Sequence, residues 1–317
     1  MGTVHKLLEQ HGKHGALQLL DGDADRRAVE AAAQYMSDED GGIGFIFSGW
    51  AQAALPHRRL EDNAVWQLDT ERVTLLIEPG RRAVAGGEPQ WVGVPFGSRA
   101  RLIMLYLQSE ALRTKSREIE LGRSLNAWLV RLGIPVGGKS FKDVREQAER
   151  ISRCRLSFHM HAGARQGLVN QNIMDTAMFV EERDTAQGTL FLETARLSET
   201  FFEQLQRHPV PLEESAIRSI NNNSMALDVY CWLAYRLHVL TAPRAITWKA
   251  LHAQFGTGFA RLDHFRTKFQ ENLTLALAVY PAAEVVADVK GVTLKPSRPP
   301  VAPRVSATTG SKRQYHG

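Results

Sequence analysis

Between Leu121 and Arg153 the chain can only form two helices broken by a tight turn, and that restricts what can surround them. Leu121, Leu125, Trp128, Leu129 and Leu132 fall at i, i+4, i+7, i+8 and i+11, one apolar stripe of a helix. Gly133 can stop that helix and Pro135 cannot continue it. After the turn, Phe141, Val144, Ala148 and Ile151 mark the inner face of a second helix, with Lys142, Arg150 and Arg153 toward the other side. Helix, glycine-containing turn and basic helix is the outline of a helix-turn-helix.

The turn reads GIPVGGKS from Gly133 to Ser140, a full match to the nucleotide phosphate-binding pattern G-x-x-x-x-G-K-[ST]. That loop holds ATP when a buried strand runs into it, so that backbone N–H groups and the following helix converge on the phosphates. Here a helix runs in, and we expect no ATP chemistry at Lys139. The two strings that resemble a Walker B strand, TLLIE ending at Glu78 and TLFLE ending at Glu193, are ordinary strand ends.

A length of 317 residues, 44% hydrophobic and 23% charged, is enough for two or three globular domains with a sizeable core. No run approaches 18 uninterrupted apolar residues and the N-terminus lacks the pattern of a signal peptide, so we expect a cytoplasmic protein with no membrane partner. Cys154 and Cys231 each lie in an apolar helical pattern without a second metal-type ligand at finger spacing. They read as core thiols rather than a zinc site or a disulfide. The net charge of +5 is unevenly placed. From Ser98 to Arg155 there are thirteen Lys or Arg against six Asp or Glu, and from Lys290 to the end six against none. Such clustering suits a polyanionic partner, although a charge run can also be a solvated face.

Residues 1–42 read as a flexible N-terminal arm with a short helical candidate around Arg26 to Met36. Residues 43–196 read as a first domain. Its leading extended segments (GFIFSGW, RVTLLIEPG, PQWVGVP) give way to a buried helix over Phe96 to Thr114, the helix pair above, and strands LSFHMH, NIMDTAMFVEE and TLFLETARL. The same order recurs about 125 residues later, within 197–296. Ser224 can cap a helix carrying Leu227, Tyr230, Leu233, Ala234 and Leu237, and Thr247 a shorter one with Trp248, Leu251 and Phe255. A long helix then buries Leu262, Phe265, Phe269, Leu273 and Ala276, with His264, Thr267 and Lys268 pointing away and Arg261 at the border. AEVVADV and VTLKP complete a two-stranded wing whose tip carries Lys290. Residues 297–317, rich in Pro, Ser and Thr, read as a basic disordered tail. The expected fold is therefore α+β and mainly helical, two tandem winged-helix domains with an N-terminal extension.

Four strings together resemble the plasmid-encoded RepA replication initiator family: SGWAQAALPHRR (Ser48 to Arg59), VPFGSRARLIMLYLQSEALRT (Val94 to Thr114), ELGRSLNAWLVRLGIPVGGKSFKDVREQAERISRCRLSFH (Glu120 to His159), and ALDVYCWLAYRLHVL (Ala226 to Leu240) followed by ITWKALHAQFG. The resemblance runs from about Ile43 to Pro296. It implies a protein that binds repeated sites (iterons) in the double-stranded DNA of a plasmid origin, helps to open that DNA, and brings in the host initiator and replicative helicase machinery. Monomer and homodimer both remain open.

Carried over by position, the second helix of each turn motif would enter the major groove. That selects Lys139, Ser140, Lys142 and Arg145 in the first unit, and Arg261, His264 and Lys268 in the second. Lys139 and Ser140 would stand at a helix N-terminus, where exposed N–H groups favour a phosphate whether it belongs to ATP or to DNA. Glu146 and Glu149 share the outward face of Lys142 and would repel phosphates unless they accept from cytosine or pair with Arg150 and Arg153. Arg99 and Arg101, at the start of the first long helix, either touch the DNA backbone or pair with nearby carboxylates. Trp128, Trp232, Trp248, Phe265 and Phe269 are most simply core, because their spacing implies burial and a stacking platform would be exposed.

His159-Met160-His161 could hold the metal of a rolling-circle nickase with Tyr230 or Tyr235 as nucleophile. No third ligand is evident and Tyr230 lies on an apolar stripe, so we read two wing-strand histidines instead. We expect no catalytic activity, no cofactor and no metal. The alternatives are a winged-helix transcriptional repressor and, more remotely, the metal-dependent nickase.

Overall fold

In a computed structural model of the chain, residues 3–39, 41–70, 73–134, 137–162, 165–182 and 189–302 are described. Two helices, α1 (Thr3–Gln18) and α2 (Asp23–Met36), open it. They correct the expectation of a loose arm. Ala28, Val29, Ala31 and Ala32 of α2 are buried, the Nε2 of buried His5 lies 2.9 Å from the Ala278 carbonyl, and the Tyr35 hydroxyl donates to Glu213 at 2.7 Å. A face made of alanines scores little on a hydrophobic count yet lets two helices approach closely.

The extended segments become β1 (Ile43–Phe47), β2 (Trp66–Asp69), β3 (Val73–Glu78), β4 (Gly80–Arg82) and β5 (Gln90–Gly93). They lead into α3 (Gly97–Thr114), which buries Leu102, Ile103, Leu105, Tyr106, Leu107 and Ala111 and so is covered on more than one side. A short strand, β6 (Glu118–Glu120), is followed by α4 (Gly122–Arg131) and α5 (Gly138–Arg153). Gly133, at φ +73°, ends α4 in the left-handed region that the turn requires. Trp128, Leu129 and Leu132 are buried as their spacing implies; the side chain of Leu125 lies outside the described residues.

Two strand assignments change. LSFHMH is β7 (Arg155–Ala162), and the polar stretch after it is no link but a partner strand, β8 (Arg165–Asn172). Together they join β2 and β3 in a four-stranded sheet of order β2-β3-β7-β8. His159 therefore sits in that sheet, opposite Thr74 and Leu168, and not in a wing. The true hairpin of the first unit is β9 (Met174–Glu182) and β10 (Thr189–Leu197), with β10 also pairing β6.

Three further elements, α6 (Glu199–Arg207), β11 (Pro209–Glu213) and α7 (Glu214–Ser219), bridge the halves, and β11 pairs antiparallel with β1. Then come α8 (Ser224–Arg236), β12 (Arg244–Thr247), α9 (Trp248–Phe255), α10 (Leu262–Ala278), β13 (Val285–Ala287) and β14 (Gly291–Leu294). Asn223 rather than Ser224 caps α8, accepting from the Ala226 N–H, while Thr247 caps α9 as expected. Trp232, Trp248, Phe265 and Phe269 fill the core of this half, but Leu262 is 44% exposed. Leu262 is the first residue of its helix and lies beyond the edge of the core. Ser297 and Arg298 are held against the fold through the Leu237 and Arg298 carbonyls, the latter accepting from Tyr280 at 2.6 Å. The rest of the tail, residues 303–317, lies outside the described residues.

The result is a mixed α/β, mainly helical fold in which one order occurs twice, helix, short strand, helix, helix, hairpin, with β7 and β8 inserted before the hairpin in the first half. In the first half these are α3, β6, α4, α5 and β9–β10, and in the second α8, β12, α9, α10 and β13–β14. Both sheets place the short strand beside the last strand of the hairpin, giving orders β6-β10-β9 and β12-β14-β13. Among the described residues no helix is long and apolar enough to cross a membrane.

Candidate nucleic-acid interface

The start of α5 is built as an open helix end. Gly137 is extended, Gly138 takes φ +42°, no side chain caps the first turn, and no acidic residue stands in it. The Ser140 N–H donates to the Gly137 carbonyl at 3.1 Å, while the other N–H groups of that turn and the positive end of the helix dipole are left facing outward. Lys139 and Lys142 are exposed there, and Ser140 and Arg145 partly so. A helix precedes the turn, as the spacing required, so the phosphate-loop pattern occurs without its strand; Pro135 and Val136 lie outside the described residues.

Farther along α5 the charges are already matched. Glu146 pairs with Arg150 at 2.9 Å and Arg59 at 3.1 Å, and Glu149 with Arg153 at 3.2 Å and Arg82 at 3.5 Å. The acidic residues that stood open as repulsive are therefore neutralised inside the protein. Arg150 is a correction: it is 2% exposed rather than outward, donating to Asp62, Glu146 and the Val94 carbonyl. The backbone at Gly93 comes so close to it, at φ +83°, that a Cβ would lie 2.0 Å from the guanidinium.

Arg101 is corrected as well. Its side chain is 9% exposed, and both ends of its fork donate to Asp228 of α8 at 2.6 Å. Its remaining N–H groups reach the carbonyls of Leu55, Pro56 and Gly97. Every donor is directed inward, which leaves nothing for a phosphate. Arg99 is half-buried, donates to Asn222, and has its pKa lowered by that burial.

In the second half Arg261 takes the N-cap position of α10 with its side chain paired to Asp263; His264 is exposed, and Lys268 pairs with Glu271 at 3.0 Å. Lys290 stands at the exposed β13–β14 turn, which Asp288 organises by accepting from the Lys290 and Gly291 N–H groups. The α10 end is thus closer to electroneutral than the α5 end.

Tyr230 is fully buried and its hydroxyl accepts from the Glu213 N–H, with burial pushing its pKa well up. It cannot present a nucleophile to a phosphodiester. Among the described residues no group of three His, Cys, Asp or Glu could hold a metal ion; the side chain of His161 lies outside them. Both cysteines are free, and burial raises the Cys154 thiol to about 12.

The sequence marks PQWVGVP, with Trp91, as extended, but not its pairing with Arg81 and Arg82 in a β4–β5 hairpin. Two adjacent arginines in a Gly-rich stretch look like loop, and only the fold sets them beside α5.

The profile of the family described as plasmid encoded RepA protein matches residues 94–250, from the approach to α3 into α9. The chain belongs to the RepA family. Its fold is similar to that of domains 2 and 3 of RctB, seen in a selenomethionine crystal structure at a TM-score of 0.50 and 10% identity, covering 79% of this chain and 98% of that one. A second structure of RctB domains 2-3 gives a TM-score of 0.42 at 10% identity, covering 76% and 92%. No curated protein matches the chain.

Proposed function

We propose that this RepA family member is a plasmid replication initiator, made of two tandem winged helices that bind repeated sites in double-stranded origin DNA, prepare the duplex for opening and bring in host replication proteins. The observation that carries the reading is the doubled order of helix, short strand, helix, helix and hairpin, with the same strand order in each sheet. In such a unit the third helix, α5 or α10, is the one that enters a major groove, N-terminal residues first. Lys139 and Ser140 are placed for phosphate, Lys142 and Arg145 for base edges or backbone, and Arg261, His264, Lys268 and Lys290 for the second site. The work is positional and involves no bond-making step by the protein.

DNase footprinting on the cognate origin, across a salt series with and without Mg²⁺, tests this. Regularly spaced protection on intact strands is expected, weakening steeply as salt rises because each neutralised phosphate contributes a log–log slope of about −0.9. Lys139→Ala should make the slope shallower by about one phosphate and leave any ATPase background unchanged. Metal-dependent strand scission, or a complex indifferent to salt, would overturn the reading. An origin fragment that fails to replicate with the protein supplied in trans would reassign it to a repressor.

A further inference from the structure

The cations around α5 sort into two groups. Arg59, Arg82, Arg150 and Arg153 are tied to Glu146, Glu149 or Asp62. Lys139, Lys142, Arg145 and Arg81 have no carboxylate partner among the described residues, and of these only Arg81 lies outside α5. It stands on the β4–β5 hairpin, in register with Trp91, and its guanidinium lies 3.9 Å from the centre of that ring. Every residue from Arg81 to Trp91 is exposed, including Trp91 at 40%. The base of the hairpin is nevertheless fixed to α5. Arg153 donates to the Arg81 carbonyl, Arg82 reaches Glu149, and a Cβ at Gly80 would lie 2.2 Å from the Arg153 carbonyl oxygen.

An ion pair cancels an arginine's charge; a stacked indole does not. Trp91 restricts the Arg81 side chain while leaving its full charge and its forked donors toward solvent, which suits a planar, bidentate hold on phosphate. Ten residues of α5 separate Lys139 from Glu149, about 15 Å along the axis, comparable with the roughly 12 Å width of a major groove. With the start of α5 in the groove, the hairpin falls on the backbone at its edge.

We propose that the β4–β5 hairpin is a second DNA-contacting element, in which Arg81, braced on Trp91, grips a backbone phosphate of the duplex flanking the site met by α5. The inference rests on the duplex-binding reading above. The test compares the full chain with Arg81→Ala, Arg81→Lys and Lys139→Ala on an origin repeat with long flanks and on the same repeat trimmed to its core. Arg81→Ala should reduce the salt slope by about 0.9 on flanked DNA, with no change on trimmed DNA and none in thermal unfolding, while Arg81→Lys keeps most of the slope. Lys139→Ala should weaken both duplexes. If Arg81→Ala matches the wild type on flanked DNA, or loses as much on the trimmed core, the hairpin proposal falls and the duplex reading stands. If the wild type binds neither duplex at low salt, both fall together.

Discussion

At the scale of single residues, charge was legible in the sequence but its destination was not. Arg101 and Lys139 belong to the same basic stretch, yet one is sealed against Asp228 and three carbonyls and the other faces solvent. Nothing local separates them, because the partner of Arg101 lies 127 residues away. His57 shares this site, with its Nδ1 at 3.0 Å from the Ser224 hydroxyl. Burial first, and then the Arg101 charge, lower its pKa to about 4. The unfolded chain takes up this proton near pH 6.5 and the folded chain only near 4, so between these values the unfolded state binds more protons. Stability is thus unaffected by this group above about pH 6.5 and falls as pH drops toward 4, by up to about 3 kcal/mol. His57→Gln should flatten the curve of unfolding free energy against pH across that window. Parallel curves for variant and wild type would remove His57 as the cause.

At the scale of elements, long helices with clear stripes and the two hairpins of the doubled order were readable, because period and turn residues are local information. The short strands β6 and β12 were not: three or four residues cannot show a period, and each is a strand only because β10 or β14 lies beside it. The same holds for β8, whose polar, Gly-containing sequence is ordered by pairing with β7. Pairing this dependent on one neighbour is sensitive to how closely the backbones approach. Gly291 faces Thr247 across β14 and β12, and a Cβ there would lie 2.0 Å from the Ile246 carbonyl oxygen. Gly291→Ala should therefore push the strands apart and cost about 1–3 kcal/mol, as overpacking does in a core. Denaturant unfolding measures it, and a wild-type midpoint would show that β12 moves freely. The adjacent Lys290 tip should be displaced as well, so binding of the second site should weaken beyond what the stability loss explains.

At the scale of the whole molecule, the question is what fixes one half against the other. The doubled order was visible as a repeat of pattern, but the seam was not, since it combines five separate segments of the chain: β1, the loop at Leu55 to His57, α3, β11 and α8. Much of it is apolar and incompletely filled: a cleft of about 50 Å³ lies among Ile46, Trp50, Leu105, Leu212 and Cys231. Apolar contacts of that kind hold surfaces together without setting their angle. The Arg101–Asp228 fork, buried on both sides, does set it, because two parallel hydrogen bonds permit one geometry. Removing one partner strands a buried charge, so Arg101→Met alone should cost about 3–5 kcal/mol, whereas Arg101→Met with Asp228→Leu should recover most of it. The double variant then separates stability from orientation. If the fork sets the distance between the two groove-entering helices, the wild type should discriminate sharply when the spacer between half-sites changes by half a helical turn, about five base pairs. The double variant, stable but without the directional contact, should discriminate less. Equal penalties for both proteins would mean that the β1–β11 pair and the apolar packing hold the angle by themselves, and that Arg101 and Asp228 serve only to satisfy each other.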